Sequence, residues 1–193
     1  MTGRPRQFDE SEARERVMES FWANGYDGTN FDTLVRDSGL SRSSLYAAFG
    51  GKDELFRQSL ERYLGCFHDE FLDEFFGGGR EGLKEFLKTW DQPVDPEDRG
   101  CLLQKVILEN ATSAAPRQVE IVESRLAKIW KAIRRALRGV ERPARRAKMT
   151  SDEKAAMLVA MMFGVSVIAR NGRNEDLVKA LARGAVKFVD AES

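Results

Sequence analysis

Apolar positions along the chain recur at three- and four-residue intervals, and no β-branched run alternates apolar and polar residues between turns. The first periodic segment carries Ala13, Val17 and Phe21 at i, i+4 spacing, flanked by Met18 and Trp22. Asp9 with Glu12 has the form of a capping box at its start, and Asn24-Gly25 closes it. Thr29 with Asp32 forms a second capping pair beside Phe31, Leu34 and Val35, and Gly39 ends that short helix. Ser41 is placed to cap a third helix, in which Leu45 and Phe49 are four apart. Gly50-Gly51 then breaks the chain. Lys52-Asp53-Glu54 begins a long fourth segment through Leu55, Phe56, Leu60, Tyr63, Leu64, Phe67, Phe71 and Leu72, with acids where the helix dipole favours them.

Beyond the Gly77-Gly78-Gly79 break, Leu83, Phe86, Leu87 and Trp90 mark a short helix, and residues 91–100 read as a loop with Pro93 and Pro96. Cys101 to Asn110 is apolar enough to lie inside. Pro116 has the look of a first-turn proline for a helix through Val119, Val122, Leu126, Ile129, Trp130, Ile133 and Leu137. A basic, proline-containing connector spans 139–149, Ser151 or Asp152 opens an apolar helix, and Asn174 caps a last one through Leu177, Leu181, Val186 and Val189. The pattern predicts an all-α chain of about nine helices without a repeat of fixed period.

Composition narrows what such a chain does. Its 193 residues suit one compact domain or two small ones sharing a core, and 42% hydrophobic content excludes wholesale disorder. Lys plus Arg equal Asp plus Glu at 31 each, which excludes a histone-like polycation but not a local basic patch. Two Cys exclude a disulfide scaffold or a Cys-rich zinc site, and one His excludes sites built on several. No metal or cofactor is expected. The first twenty residues lack the apolar core of a secretory signal. The longest uncharged apolar run, Ala155 to Ala169, has 15 residues, short of the roughly 20 that span a bilayer. The expectation is a cytoplasmic protein without a membrane helix.

Candidate chemistry concentrates between Asn30 and Phe49. Two short helices joined by Ser38-Gly39-Leu40-Ser41 have the form of a helix-turn-helix: Gly permits a left-handed backbone, Leu anchors the turn, and Ser caps the second helix. In such a motif the second helix enters the major groove. Arg42, Ser43, Ser44, Tyr46 and Ala47 are its candidate exposed positions: Arg for guanine, Ser for either base edge, Ala for a thymine methyl, and Tyr46 with Lys52 for phosphates. Arg4 and Arg6 form an arm that can reach phosphates or an adjacent minor groove. The same spacing also fits an ordinary αα corner, and residues 1–63 hold nine bases against eleven acids, so the acids would have to face away from a duplex.

Ala13, Phe21, Gly25-Tyr26, Thr29, Gly39-Leu40-Ser41, Ser44-Leu45-Tyr46, Phe49 and Lys52-Asp53-Glu54-Leu55 together make residues 8–64 resemble the DNA-binding domain of the TetR/AcrR family of transcriptional regulators. The resemblance implies a homodimer with an N-terminal three-helix DNA-binding domain, here 1–50, and a helical ligand-binding and dimerisation domain, here 51–193. It implies that Thr29, Tyr46 and Lys52 contact phosphates and that Arg42 and Ser43 approach bases. Gly50-Gly51 departs from the family's pattern of one Gly and a polar residue. More weakly, Gly100-Cys101-Leu102-Leu103 with Glu109 resembles a branch in which some members sense electrophiles through a Cys and others bind planar compounds.

Cys101 is therefore a candidate sensor, which needs an accessible thiolate, although a free Cys is more usually a small buried hydrophobe. Cys66 is the weaker candidate. Phe67, Phe71, Trp90 and Trp130 are candidate ligand-pocket residues, alongside Phe75, Phe76 and Phe86, and most of this aromatic set also reads as core. Leu158, Met162, Phe163, Leu177 and Leu181 are expected to make a four-helix dimer interface, with Ala160 and Gly164 allowing close approach.

Residues 125–148 hold ten bases and one acid, and residues 69–98 hold ten acids and three bases, so the two stretches are expected partly to neutralise each other. An enzyme finds little support: His68 stands alone, and Gly50-Gly51-Lys52-Asp53 is not a phosphate-binding loop. The expected function is a regulator, most simply a repressor on a palindromic operator, released by a small molecule or thiol modification as helix 4 swings and the helix spacing ceases to fit. The competing reading is an adaptor that uses the basic 125–148 segment on a membrane surface or protein partner.

Overall fold

The computed structural model of the protein describes residues 9–90, 92, 99–113, 116–138, 149–170 and 174–190. They are helical, in the order α1 (Glu10–Asn24), α2 (Phe31–Ser38), α3 (Arg42–Phe49), α4 (Lys52–Tyr63), a π turn (Leu64–His68), α5 (Asp69–Phe76), α6 (Gly79–Thr89), α7 (Leu102–Thr112), α8 (Val119–Arg138), α9 (Ser151–Arg170) and α10 (Glu175–Asp190). The long fourth helix of the sequence pattern is thus divided by the π turn, so that ten α-helices stand among the described residues where about nine are expected. Of the expected loop at 91–100, residues 91 and 93–98 lie outside the described residues, as do 139–148 of the expected connector at 139–149.

Local chemistry sets the boundaries. The Asp9 carboxylate accepts from the Ser11 and Glu12 amides at 2.8 and 3.3 Å. Asn30, not Thr29, caps α2: its side-chain oxygen accepts from the Thr33 amide at 2.8 Å. Ser41 caps α3 by accepting from the Ser44 amide at 3.1 Å. Thr150 and Glu153 form a reciprocal capping box at the start of α9. Helix α8 begins at Val119 rather than at Pro116, after Gln118 at a φ of 55°, a left-handed conformation that ends the preceding turn.

The chain forms two compact units, residues 1–66 with 99–122 and residues 67–98 with 123–193. In the first, α1 packs on α2 and α4, and α7 on α4. Its core holds Val17, Phe21, Leu34, Leu45, Phe56, Leu60, Leu102 and Leu103, all essentially without exposure. Phe21 meets Phe56 edge-on at 5.0 Å, and burying each such side chain contributes roughly 1.5–3 kcal/mol. In the second unit, α6 packs on α5 and α10, and α9 on α10, around Leu83, Leu87, Ile129, Ile133, Ala155, Ala182 and Val189. The expected charge compensation is present there: Asp69 pairs with Arg125 and lies 3.8 Å from Lys128. Arg134 and Arg138 both reach Asp152 at 3.5 Å.

Candidate nucleic-acid interface

Gly39 has φ 71° and ψ 11°, the left-handed conformation that lets α2 end and the chain turn into α3 within three residues. Leu40 is buried beneath the turn, and Leu45 and Phe49 fix the inner face of α3 in the core. That geometry leaves Arg42, Ser43, Tyr46 and Ala47 on the outer face, with Ser44 half-buried. Ser44 and Ser43 are both hydrogen-bonded to the Ser41 hydroxyl, at 2.8 and 3.0 Å, so the first turn of α3 is locally ordered.

Tyr46 is 50% exposed and its ring stacks on Phe31 at 4.4 Å and 14°. The Arg42 guanidinium lies 4.9 Å from the Phe31 ring centroid and donates to Asp32 Oδ1 at 2.5 Å. The structure therefore presents an ordered cluster of cationic, hydroxylic and aromatic groups on one side of α3. Phe31 and Asp32 belong to it although neither was singled out from sequence. Phe31 reads there only as an apolar position of α2, and Asp32 only as a capping residue.

Two of the expected phosphate contacts sit differently from the rest. Thr29 has no exposure, and its hydroxyl donates to the Gly25 carbonyl at 2.7 Å. It supports the α1–α2 turn and offers no side-chain group to a duplex. Lys52 is half-buried, with Nζ 3.9 Å from the Tyr26 ring centroid. Burial pushes its ammonium below the usual lysine range, against the opposing pull of Asp27 and other nearby acids. Arg117 lies 4.0 Å from the same ring, and the Tyr26 hydroxyl donates to Asp53 Oδ1 at 2.5 Å. Burial, and then the Asp53 carboxylate, raise the Tyr26 phenol above its ordinary value. The double glycine poses no obstacle: Gly50 carries φ 85° at the end of α3, and Gly51 has an ordinary φ of −79°. Arg4 and Arg6 lie outside the described residues.

Helix α7 grips the far end of α1. Trp22 Nε1 donates to the Gly100 carbonyl at 2.5 Å, and Lys105 donates to the Trp22 and Ala23 carbonyls at 2.5 and 2.8 Å. The Glu109 carboxylate accepts from the Tyr26 and Asp27 amides, each at 3.2 Å. Cys101, half-buried, is the N-cap residue of this helix. Neither cysteine is in a disulfide, and Cys66 is exposed in the π turn.

The candidate ligand-pocket residues are divided between the units. Cys101 belongs to the first; Phe71, Trp90 and Trp130 belong to the second, and the Phe67 side chain lies outside the described residues. Phe71 and Trp90 are joined through Phe86, with edge-on contacts at 5.1 and 5.6 Å. Trp130 instead donates to the Asp152 carbonyl at 3.3 Å and carries Arg134 over its ring. A cavity of about 120 Å³ in the first unit is lined by Arg14, Val17, Phe49, Leu55, Gln58, Ser59 and Arg62, none of them an expected ligand contact.

Of the expected dimer residues, Leu158 is 1% exposed and belongs to the protomer's own core. Met162, Phe163 and Leu181 are half-buried, and Leu177 is 49% exposed. Met157 and Val167 of α9 are exposed too, as is Ala156, with Ala160 and Gly164 on exposed positions between Met157 and Val167. A Cβ added at Gly164 or Gly184 meets nothing within 4 Å.

A short capped helix pair with a left-handed glycine turn and a polar, exposed second helix defines a helix-turn-helix protein, followed here by further helices. Residues 16–58 match the family described as bacterial regulatory proteins, tetR family. The chain is 42% identical over 65 residues to the HTH-type transcriptional repressor ComR of Escherichia coli K12, a stretch covering 34% of this chain and 31% of ComR. It is 27% identical over 196 aligned positions to the HTH-type transcriptional repressor BdcR of the same organism, covering 97% of this chain and 93% of BdcR. Among solved structures, a cysteine mutant of the TetR family transcriptional regulator CifR, complexed with 26-bp double-strand operator DNA, is 29% identical. It superposes with a TM-score of 0.76 over 96% of this chain and 98% of that one.

Proposed function

We propose that the protein is a homodimeric, cytoplasmic, sequence-selective DNA-binding repressor that places α3 of each protomer in the major groove of a palindromic operator. The observation that carries this reading is the outer face of α3. Arg42, Ser43, Tyr46 and Ala47 are exposed while Leu45 and Phe49 anchor the same helix in the core. Arg and Ser carry the donors and acceptors that base edges require, and a phenol hydroxyl suits a phosphate oxygen. Lys52 supplies charge at the start of α4. Residues 1–50 are the proposed DNA-binding domain and 51–193 the ligand-binding and dimerisation domain. The CifR complex with operator DNA supports the reading by likeness.

The second copy is proposed to pack against the exposed apolar faces of α9 and α10, through Met157, Ala160, Gly164 and Val167 with Leu177 and Leu181. Met162 and Phe163 lie at its margin. Small residues at 160 and 164 suit a close crossing of two helices. Release is proposed to follow binding of a small molecule near Phe71 and Trp90, or modification of Cys101. Either acts only by stabilising a dimer whose two α3 helices no longer match the operator. The adaptor reading gains nothing, because Arg125, Arg134 and Arg138 are engaged by Asp69 and Asp152.

The experiment is selection of bound duplexes from a random pool, followed by titration of the enriched sequence with and without thiol-modifying reagents and aromatic compounds. A palindromic enriched site whose affinity falls on adding an effector supports the proposal. Equal binding of enriched and scrambled duplexes overturns it.

A further inference from the structure

The ion pair between Asp32 and Arg42 joins two residues whose side chains are 84% and 53% exposed. An exposed pair of this kind contributes little to stability. A carboxylate beside a surface that approaches DNA also opposes the phosphates, because affinity there comes from neutralising them. The pair therefore adds little stability while its carboxylate opposes the phosphates, unless Asp32 does something for Arg42.

The geometry shows what that is. Arg42 is the first residue of α3, and Asp32 lies in the first turn of α2, where a negative charge is at home. The carboxylate accepts from one guanidinium nitrogen, Nη2, at 2.5 Å. The Phe31 ring lies 4.9 Å from the guanidinium carbon and is itself stacked on Tyr46 at 4.4 Å. One carboxylate oxygen and one aromatic ring thus restrain a long, otherwise mobile side chain. A guanidinium has five N–H donors in a rigid plane, and engaging it at one nitrogen leaves a donor edge for a second acceptor pair. The acceptor pair that fits an arginine fork in the major groove is O6 and N7 of guanine.

We propose that Arg42 reads a guanine in each operator half-site and that Asp32 is the positioning residue that sets its guanidinium plane. This rests on the DNA-binding reading above and adds the base and the residue that orients its reader. Asp32 raises discrimination while lowering non-specific affinity, so its removal moves the two quantities in opposite directions. A merely structural role would not.

The test is selection from random duplexes with the parent, Arg42→Ala, Asp32→Asn and Asp32→Glu, followed by competition between the enriched site and a version with the G·C pair replaced. The parent is expected to require one G·C pair per half-site. Arg42→Ala is expected to lose that preference by about 5- to 150-fold, the range for one bidentate contact. Asp32→Asn is expected to lose about 3- to 10-fold of it through the freed side chain, while binding scrambled duplex more tightly than the parent. Asp32→Glu restores part of the preference. Both Asp32 variants are checked for parental helicity by circular dichroism. Retention of the full preference in Asp32→Asn overturns the positioning role. A parental site in which no position responds to Arg42→Ala overturns the guanine assignment. A parent that enriches no sequence overturns the DNA-binding reading itself.

Discussion

Glu109, near the end of α7, holds the backbone amide of Tyr26, 83 residues earlier in the chain, at 3.2 Å, and the adjacent Asp27 amide at the same distance. A helix far along the sequence thus supplies the acceptor for the turn that leads from α1 into α2. Lys105, one turn earlier on α7, holds the Trp22 and Ala23 carbonyls that end α1. A cation on the helix's carbonyl end and an anion on the following amides are what the backbone at a helix terminus calls for.

Glu109→Ala leaves those two amides without their carboxylate acceptor, and Tyr26 is buried. The expected loss is about 1–3 kcal/mol, read as a lower urea midpoint at unchanged slope. Glu109→Gln, which keeps an acceptor oxygen, is expected to lose less.

Gly25→Ala tests the same contact from the other side. Gly25 has φ 73°, and a Cβ there would come within 2.2 Å of Glu109 Oε1. Backbone strain and displacement of the carboxylate act together, so the variant is expected to be less stable than Glu109→Ala alone predicts. Combined with Glu109→Ala, the penalty of Gly25→Ala shrinks, which a double-mutant cycle in urea measures directly.

His68 is buried, its Nδ1 has no hydrogen-bond partner, and burial followed by the nearby Arg125 charge lowers its pKa to about 4, against the opposing Asp69. The folded protein therefore resists protonation where the unfolded chain accepts it. Stability is full above the ordinary histidine value of about 6.5, falls as pH drops, and the loss is complete below about 4. The expected size is about 3 kcal/mol. His68→Gln is expected to flatten this part of the urea-midpoint profile between pH 7 and 4.

Gly164→Arg places a large charged side chain where an added Cβ touches nothing of the protomer. Helical content is expected to stay at the parental level by circular dichroism, while sedimentation shifts from dimer to monomer. An unchanged dimer would move the interface elsewhere.

Much of the architecture was legible because caps and apolar spacing act locally. Asp9, Ser41 and the left-handed Gly39 are readable within four residues of where they act. The cap of α2 was misplaced by one residue: Thr29 was read as the cap, but its neighbour Asn30 offers the same chemistry, and it is the Asn30 side-chain oxygen that accepts from the Thr33 amide. In α9 the apolar residues surround the helix, so the sequence placed the buried Leu158 on the same interface as Ala160 and Gly164, which are exposed. The Glu109–Tyr26 contact was invisible for a different reason: its partners are remote in sequence and one of them is a backbone amide. The π turn at 64–68 and the Asp32–Arg42 pair likewise carry no compositional signature.

The central claim is tested most directly by fluorescence anisotropy on duplex DNA from immediately upstream of the protein's own gene, or on the selected site, across a salt series for the parent and Tyr46→Ala. Tyr46 is half exposed and packs on Phe31 at the surface, so its removal leaves the core intact. The account predicts that the parent binds this duplex more tightly than a scrambled one. It also predicts that the logarithm of affinity falls linearly with the logarithm of salt, and that Tyr46→Ala binds about tenfold more weakly at an unchanged slope, because a neutral phenol neutralises no phosphate. Indistinguishable binding of specific and scrambled duplexes, unchanged by Tyr46→Ala, would contradict it.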